Sequence, residues 1–533
     1  DAYPDVRDYS VEDLKETYFA ELGNGEKSKL FSSYRAGVID KHFEMMHDYG
    51  IDGVAVQRFG SVTINGVEER FKNSVDILKN VKASAEKHNE LFYVMYDISG
   101  LSEENLVEDL KADWQQVILN DLDITSSPSY AKDNGRPVVC LWGLGIREGT
   151  GEQYSELIDW FHDKGCYVIG GVSKSWRDQI AKDEAMEKAF CKLDMLSPWS
   201  VGSAKTDSDV DSDASILAAD KAYLDEKGIA YQPVMFPGFS WSNWKDNAVR
   251  NQIPRRAGDF MWRQAYNIAK QDIHCGYIAM FDEYDEGTAI LKLAEDSSMI
   301  PKDQYFITAS ADGSYTSSDL YMRLAGYIPK VLRGEEKITE EMPLLLSEGP
   351  VYFRSGFEKY FDAHPVDGNG ELVKDELTYN GRYALKLNRV GGGGEMLTKL
   401  SELDFSAEKI NIGISAYLAG GSAELSVGLE TADGDVLYSD LSFANGKWTY
   451  NTLTDISVAG KNITGLILKA KGTDDYKIYI DDVIVTEDAS LINSQVNGSK
   501  YDLYARNLYN LGLLDGENAD KFVMNLENEV TRE

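Results

Sequence analysis

A repeated alternation of short apolar strands with amphipathic helical segments, from residue 34 to about 290, restricts the folds open to this chain. The helical segments, such as 38–50 and 74–88, carry apolar residues at three- and four-residue spacing. Strand, helix and strand in repetition predict a parallel sheet with helices packed on it. The predicted strands are 50–59, 91–99, 138–145, 166–173, 195–202, 229–238 and 276–281.

These seven strands are one short of the eight that close a β/α barrel, and a (β/α)8 TIM-type barrel is the α/β fold predicted for residues 1–346. The eighth strand could be the short "SKLFSS" near residue 30, or it could lie upstream of Asp1. Residues 347–488 change to alternating strands separated by Gly, Asn and Asp, which predicts an antiparallel β-sandwich. Residues 489–533 return to a helical pattern as a short third segment.

The charge balance limits the classes of partner that this chain can bind. There are 54 Lys and Arg residues against 89 Asp and Glu residues, a net charge of −35. Phosphate binding needs clustered basic groups, so nucleic acid and anionic membrane surfaces are excluded as partners. No apolar run approaches the roughly 18 residues that would span a membrane. The chain starts at Asp1 without a Met or a signal-like segment, which is the pattern of a mature or trimmed chain.

No pattern in the sequence predicts a catalytic metal or another cofactor. The six His residues lack zinc-site spacing, and the run "TDSDVDSDAS" (206–215) lacks the Gly and Glu of a calcium-binding EF-hand loop. The cysteines also lack C-x-x-C spacing, and most of them fall in apolar runs as small buried side chains. A structural calcium ion in the β-sandwich is left open. The cysteines are Cys140, Cys166, Cys191 and Cys275.

The last predicted strand runs into an unusual group of acids, "GYIAMFDEYDEGTAI" (276–290). Carboxyl ends of barrel strands converge on one mouth, where catalytic residues lie. Glu283 and Glu286 can both face that mouth if the chain turns there, and Gly287 would permit the turn. Glycoside hydrolysis needs two carboxyl groups at the scissile bond. A solvated acidic loop is the alternative, because 89 acids make this spacing common by chance.

A family resemblance supports the catalytic interpretation. The stretch "DEYDEGTAI" resembles the "N-E-W-H-E-G-T" signature of glycoside hydrolase family 99, the endo-acting α-mannosidases. Residues 1 to about 345 more closely resemble bacterial proteins grouped as family 71/99-like. The resemblance implies a β/α barrel that cleaves an α-linked glycan internally, α-mannan or a related one. The other motifs that carry it are "YGIDGVAVQRF", "VMYDISGL", "VMFPGFSW" and "NQIPRR".

The resemblance also implies roles for the two glutamates. Glu283 takes the place of the carboxylate that draws the proton from the substrate's 2-hydroxyl, which yields a 1,2-anhydro sugar. Glu286 takes the place of the general acid/base, and the overall result is retention of configuration. A carboxyl that acts as an acid near neutral pH needs a raised pKa, which burial or a neighbouring carboxylate supplies. Asp282 and Asp285 are the neighbours expected to do so at the substrate site.

This chain also departs from the family pattern. Asp282, Tyr284 and Asp285 stand where the family has Asn, Trp and His, and the family's opening aromatic strand is not visible after Asp1. These departures leave open a second interpretation, a non-catalytic glycan-binding surface protein on the same barrel. A third keeps the enzyme but inverts configuration, with Asp97 or Asp282 as a base acting through water.

Further residues at or after strand ends are candidate substrate contacts. Arg58 and Asp97 qualify because charged groups inside a barrel are costly unless paired or functional, and a structural salt bridge is the alternative for both. Four tryptophans could stack on sugar rings, although core packing explains them equally well. They are Trp142, Trp176, Trp199 and Trp241.

Two further resemblances concern the C-terminal third of the chain. The stretch "YIDDVIV" resembles the final strand of many carbohydrate-binding modules, although a purely structural spacer explains it as well. The end of the sequence, with "LYNLGLLDG", Phe522 and "VTRE", resembles the start of an S-layer homology module. That likeness implies an extracellular protein held on a bacterial cell wall, with a cell-wall polymer as partner beside the glycan substrate.

Overall fold

The structure, a computed structural model, describes residues 1–64, 66–245 and 248–492. The chain divides into two compact units. The first contains Asp1–Tyr18, Lys29–Leu293 and Asp319–Leu344, and the second contains Phe19–Ser28, Ala294–Ser318 and the chain from Leu345 onward. The stretch that resembles an S-layer homology module lies outside the described residues.

The first unit alternates strands and helices, as the sequence predicts. Its strands are β1 (Leu14–Glu16), β2 (Lys29–Phe31), β3 (Gly53–Phe59), β4 (Leu91–Asp97), β5 (Lys132–Asp133), β6 (Arg136–Leu144), β7 (Tyr167–Ser173), β8 (Met195–Trp199), β9 (Ala230–Tyr231), β10 (Val234–Met235) and β11 (Tyr277–Ile278). Its helices are α1 (Ala36–Tyr49), α2 (Gly60–Thr63), α3 (Glu68–His88), α4 (Leu106–Asp113), α5 (Gly151–Asp163), α6 (Trp176–Ile180), α7 (Glu184–Phe190), α8 (Asp207–Lys227), α9 (Asp259–Lys270) and α10 (Leu320–Leu332).

A parallel sheet organises this unit. Its strand order is β3-β4-β6-β7-β8-β9, and each neighbouring pair is parallel. β10 follows β9 after two residues and pairs in parallel with β11, so β11 takes the seventh position in the same direction. All seven predicted strands are therefore present in the predicted order.

The sheet is strongly curled. Strands two and seven of a flat sheet would be about 24 Å apart, because neighbouring strands are spaced by about 4.8 Å. Here the Tyr277 hydroxyl of β11 lies 3.9 Å from the Met95 sulfur of β4. The candidate eighth strand near residue 30 is β2, which pairs antiparallel with β1 instead of joining the parallel sheet. In the described part of the chain no ladder joins β11 to β3, so full barrel closure stays a prediction.

The two faces of the sheet have different surroundings. Along β4, Val94 and Tyr96 point to the helices, where they pack in a large core with Trp114 and its neighbours. Met95 points to the inner face and packs with Trp142 in a smaller core. This alternation follows from the two-residue period of a strand, and it decides which strand-end side chains can reach the inner face.

The second unit is built from two antiparallel sheets, as predicted. Its strands are β12 (Val351–Ser355), β13 (Asp367–Gly368), β14 (Gly370–Lys374), β15 (Tyr383–Arg389), β16 (Gly394–Ser406), β17 (Lys409–Gly420), β18 (Ala423–Thr431), β19 (Val436–Asp440), β20 (Trp448–Ser457), β21 (Asn462–Gly472) and β22 (Tyr476–Thr486), followed by the helix α11 (Ala489–Ile492). One sheet has the order β14-β15-β22-β17-β20 with β12 on β22, and the other has the order β13-β16-β21-β18-β19. Apolar side chains of both sheets form one shared core.

Two segments that precede residue 347 belong to this second unit. The Gly23 amide donates to the Ile300 carbonyl at 3.0 Å. Arg354 of β12 pairs with Glu295 at 2.8 Å and also with Asp296. The predicted boundary between residues 346 and 347 therefore does not coincide with the division of the structure into units.

Three carboxyl groups of the second unit are wholly or partly buried. Asp362 and Asp481 are fully buried, and Asp482 is half-buried. Asp362 accepts hydrogen bonds from the amides of Ser297 and Gly356, at 2.8 and 2.9 Å. Burial, followed by the charge of neighbouring carboxylates, raises the pKa of each of the three carboxyl groups.

We expect acid to stabilise the second unit. A carboxyl group whose pKa is higher in the folded state binds more protons there, so stability rises as pH falls from above the folded pKa toward the unfolded value of about 4. Asp482→Asn should stabilise this unit at pH 8 by about 1 kcal/mol. The variant should also gain less stability than wild type when the pH is lowered from 8 to 5. Calorimetry of the whole chain at both pH values measures this. The control is Asp433→Asn, at an exposed position. A thermal unfolding midpoint that is lower at pH 5 than at pH 8 would contradict the expectation.

Candidate functional site

The acids that follow β11 form a tight turn, residues 282–286, called the acidic turn below. The Gly287 amide donates to the Tyr284 carbonyl at 3.0 Å, and the φ of Gly287 is +64°. Glycine adopts that left-handed conformation without strain, so Gly287 permits the turn as the sequence predicts. The Ala289 amide donates back to the Glu283 carbonyl at 2.8 Å. Because β11 is parallel to the other strands, the turn lies at the edge where their carboxyl ends meet.

Glu283 is fixed by the backbone of its own turn. Its Oε1 accepts hydrogen bonds from the Asp285 amide at 2.9 Å and from the Glu286 amide at 3.4 Å. The side chain is half-buried, and burial raises the pKa of its carboxyl although these two hydrogen bonds oppose the shift. Glu283 is therefore an oriented carboxyl group.

Glu286 lies in surroundings that favour the protonated form of its carboxyl group. It is half-buried, and burial raises the pKa of its carboxyl. The ammonium of Lys245 lowers that pKa and the charge of Asp285 adds to the rise, both more weakly than burial. The Glu286 carbonyl accepts a hydrogen bond from the Ser240 amide at 2.8 Å, which ties the turn to the segment after β10.

Asp282 and Asp285, the two extra acids, differ in their surroundings. Both side chains are exposed. Burial nevertheless raises the pKa of the Asp282 carboxyl, and Ser33 opposes the shift by a hydrogen bond. Asp282 thus has protein atoms around it although water reaches its side chain. Asp282, Glu283 and Glu286 thus form a group of carboxyls with raised pKa values.

Three of the other predicted residues lie on the inner face at this same edge. Asp97 is buried and accepts a hydrogen bond from the Gln57 amide group at 2.9 Å. Trp142 and Trp199 pack edge to face with ring centroids 5.2 Å apart. A Cβ atom at position 171 would be 2.6 Å from the Trp142 ring, so the ring needs the glycine that stands there. Asp97 and Trp142 are buried there, whereas Trp199 is half-buried and packs 6.5 Å from the Tyr277 ring of β11.

Arg58 and Trp176 lie instead between the sheet and the helices. Arg58 is 2% exposed, and its Nε and Nη2 atoms donate to the Asp113 carboxylate at 2.9 and 2.5 Å. The Tyr96 hydroxyl donates to the same carboxylate at 2.6 Å. Trp176 is 1% exposed and packs edge to face on Tyr223, 5.3 Å away. For Arg58 this is the structural salt bridge that the sequence left open, and both side chains are corrected from substrate contacts to packing residues.

Trp241 lies after β10, and other side chains already cover much of it. The Lys245 ammonium lies 3.3 Å from its ring centroid, and Phe239 packs edge to face on it at 5.1 Å. The structure places Trp241 next to Ser240, whose amide contacts Glu286. It therefore belongs to the surroundings of the acidic turn but has little free ring surface.

Arg255 is a residue of this site to which the sequence analysis gave no role. It is 2% exposed, and its Nη2 donates to the carbonyls of Gly287 and Ala289 at 2.9 and 2.7 Å. Its guanidinium lies over the Tyr321 ring at 4.5 Å. The motif "NQIPRR" contains Arg255, but only the fold shows that it holds the backbone immediately after Glu286.

Neither a metal cluster nor a membrane helix is found in the described part of the chain. Across residues 1–64, 66–245 and 248–492, no group of three or more His, Cys, Asp or Glu side chains could hold a metal ion. Over the same ranges, the helices are too short or too polar to cross a bilayer.

Comparisons with known proteins find matches among solved structures only at low identity. No protein-family model matches the sequence, and no curated protein matches it. The GH99 endo-alpha-mannosidase from Bacteroides thetaiotaomicron is 14% identical, over 57% of this chain and 82% of that one, with a TM-score of 0.45. A glycoside hydrolase-like protein is 13% identical, over 59% of this chain and 90% of that one, with a TM-score of 0.41. The CBM22-1 xylan-binding domain from Paenibacillus barcinonensis Xyn10C is 17% identical, over 26% of this chain and 94% of that one, with a TM-score of 0.20.

The two hydrogen bonds from Arg255 should be needed for the shape of the acidic turn. Arg255→Met leaves two buried carbonyls without their donor, and we expect a loss of about 2–4 kcal/mol of stability. Hydrogen exchange of the peptide that covers residues 281–291 should become faster. Arg256→Met is the matched control, because Arg256 pairs with Asp207 at the surface and should cost less than about 1 kcal/mol. Equal effects of the two variants would contradict this role of Arg255.

Proposed function

We propose that the first unit is a glycoside hydrolase that cleaves an α-linked glycan, of the α-mannan type or related, internally and with retention of configuration. The observation that supports it most is the pair Glu283 and Glu286 in one fixed turn, both half-buried and both with a raised carboxyl pKa. The turn follows a parallel strand, where barrel enzymes have their catalytic groups. Closure of the curled sheet into a (β/α)8 barrel is part of the same proposal.

In the proposed reaction, the two glutamates have different roles. Glu283, oriented by two backbone amides, accepts the proton of the substrate's 2-hydroxyl while that oxygen attacks the anomeric carbon. Glu286 gives its proton to the departing glycosidic oxygen, which leaves a 1,2-anhydro sugar. Glu286 then takes a proton from water while the water oxygen attacks the anomeric carbon, the bond from that carbon to O2 breaks, and Glu283 returns its proton to O2. Two inversions at the anomeric carbon give net retention.

The surroundings of the turn supply substrate contacts in this proposal. Trp199, which is half-buried, offers ring surface to the apolar face of a sugar, while Trp142 packs edge to face against it and Asp97, held by Gln57, adds a carboxylate at the same edge. Asp285 adds negative charge near both glutamates and raises the pKa of each, so that Glu286 holds its proton more readily and ionised Glu283 is a stronger base. Trp241 contributes little ring surface to the substrate, because Lys245 covers one face of its ring.

An extracellular, cell-wall-associated location is also proposed, with a cell-wall polymer as a second partner. Its support is the likeness of "LYNLGLLDG" and "VTRE" to an S-layer homology module. Those residues lie outside the described part of the chain, so the location depends on the sequence alone.

The catalytic assignment predicts the effect of removing one carboxyl group. Glu286→Gln should lower the hydrolysis rate by about 10³-fold or more with folding intact, because the leaving oxygen loses its proton donor. The assay incubates the protein with α-mannans, α-glucans and host-type glycans, detects released oligosaccharides by mass spectrometry, and assigns the first-formed anomer by proton NMR.

Glu148→Gln is the control for this experiment. Glu148 is an exposed carboxylate in the loop after β6, and its loss should leave the rate unchanged. An unchanged rate in Glu286→Gln would remove the assignment. Release of the inverted anomer would instead favour Asp97 or Asp282 as a base acting through water.

Glycan binding without catalysis is the second candidate function, and an aromatic row on the second unit favours it. Trp448, Tyr417, Tyr479 and Lys386 are register partners across β20, β17, β22 and β15. The alternate residues of these strands point into the shared core, so the row lies on the outer face of the sheet. The rings of Tyr417 and Trp448 are 5.5 Å apart, and those of Tyr417 and Tyr479 are 6.4 Å apart. Tyr479 is only 3% exposed, so the half-buried rings of Tyr417 and Trp448 are the part of the row that offers ring surface to a sugar.

Truncation of the aromatic row tests this candidate. Trp448→Ala should weaken glycan binding about tenfold, which corresponds to about 1.4 kcal/mol, because a ring face is lost. Isothermal titration calorimetry with the same glycan panel measures it, on the Glu286→Gln background so that substrate is not consumed. Tyr438→Ala, on the other sheet, should have no effect. Equal affinities of the Glu286→Gln protein and its Trp448→Ala and Tyr438→Ala derivatives would exclude the row as a glycan-binding site. Glycan binding by wild type without any released product would favour the non-catalytic function.

A further inference from the structure

The short segment after β10 is anchored to the acidic turn. Phe239 and Ile253 exchange two backbone hydrogen bonds, of 3.0 and 2.9 Å, and so bring the two ends of the intervening chain together. Between them, the Ser240 amide donates to the Glu286 carbonyl at 2.8 Å. Residues that follow Ser240 therefore begin immediately beside a carboxyl group of the proposed active site.

Residues 241–245 then form a compact turn. The amides of Trp244 and Lys245 both donate to the Trp241 carbonyl at 3.0 Å. The Lys245 ammonium lies on the Trp241 ring and also lowers the pKa of Glu286, so the turn is within electrostatic range of that carboxyl group. The turn is thus held close to Glu286 by both backbone and charge.

Trp244 is the side chain of this turn that has free ring surface. It is 65% exposed, whereas Trp241 is half-buried beneath Lys245 and Phe239. Trp244 packs edge to face on Trp241, with ring centroids 6.3 Å apart and planes at 71°. With 65% of the residue exposed, at least one face of the Trp244 indole is open to water. A large aromatic ring in water gains free energy when an apolar surface covers it.

We infer that Trp244 forms an outer subsite, where its indole stacks on a sugar ring of the glycan chain at a distance from the bond that Glu286 acts on. The ligand class is a neutral oligosaccharide, because C–H faces of sugar rings suit an indole and the nearby acids would repel anionic chains. This inference rests on the proposed function. It makes Trp244, rather than Trp241, the stacking residue of this segment.

The dependence of hydrolysis on chain length tests the subsite. The substrates are α-linked manno-oligosaccharides of increasing length, and kcat/KM is compared for wild type and Trp244→Ala. We expect about a tenfold loss on chains long enough to reach Trp244 and no change on the shortest substrate. Trp244→Phe should keep most of the long-chain rate because a ring remains. Val249→Ala, at another exposed apolar position after β10, is the matched control and should behave as wild type.

Two kinetic outcomes would overturn the subsite. An equal loss on all lengths would mean that Trp244 acts by packing on Trp241, and no loss on any length would mean that the ring does not contact substrate. If wild type hydrolyses nothing, the proposed function fails, and the same oligosaccharides are titrated by calorimetry against wild type and Trp244→Ala. A length-dependent loss of affinity then upholds the subsite, and equal affinity or no binding overturns it.

Discussion

Parallel pairing of β10 with β11 is the constraint on which the candidate site depends. The two residue pairs of this ladder set the direction of β11, and that direction sends the chain out at the same edge as β4, β6 and β8. An antiparallel β11 would place the acidic turn at the opposite edge, away from Asp97 and Trp142. The curl of the sheet then brings the inner-face side chains of distant strands together. Two structural facts, direction and curl, therefore assemble side chains that lie almost 190 positions apart in the sequence.

Carboxyl groups with raised pKa values need structural support, since desolvation opposes their ionised form. The acidic turn supplies this from its own backbone, with two amides on Glu283 and with Arg255 on the carbonyls after Glu286. The support leaves Glu286 free of a strong ion pair, because Lys245 acts on it more weakly than burial does. Geometry is thus fixed through main-chain groups, while the acidity of the side chain is set by its surroundings.

The sequence predicted the strands well because each carries a local apolar pattern, and Gly287 was predictable because a tight turn needs its conformation. It could not decide which face a strand-end residue takes. Arg58 and its neighbour Gln57 differ by one position, yet Gln57 contacts Asp97 on the inner face and Arg58 contacts Asp113 on the outer face. A shift of one residue in the alternation exchanges the two, and the sequence fixes strand ends less accurately than that. The same limit explains why the sequence could not predict that the Trp176 side chain lies between the sheet and the helices.

Long-range contacts could not be predicted from the sequence, for a different reason. Arg255 gains its role from carbonyls more than thirty positions away, and the covering of Trp241 depends on how a turn folds back. No local pattern encodes either. The division into units shows the same effect, because Glu295 and Asp296 join the second unit through Arg354.

The close contact between Gly171 and the Trp142 ring has a consequence for the evolution of the inner face. With no room for a Cβ atom at position 171, a large ring at position 142 and a glycine on the next strand are coupled choices. In a set of descendants of this fold, glycine at 171 should accompany any large ring at 142, and a smaller residue at 142 would relieve the ring contact but not the 3.0 Å approach of the Cα atom of residue 142. The aromatic side chain of the inner face is therefore tied to the strand that carries position 142, and the neighbouring strand contributes the space that the ring occupies.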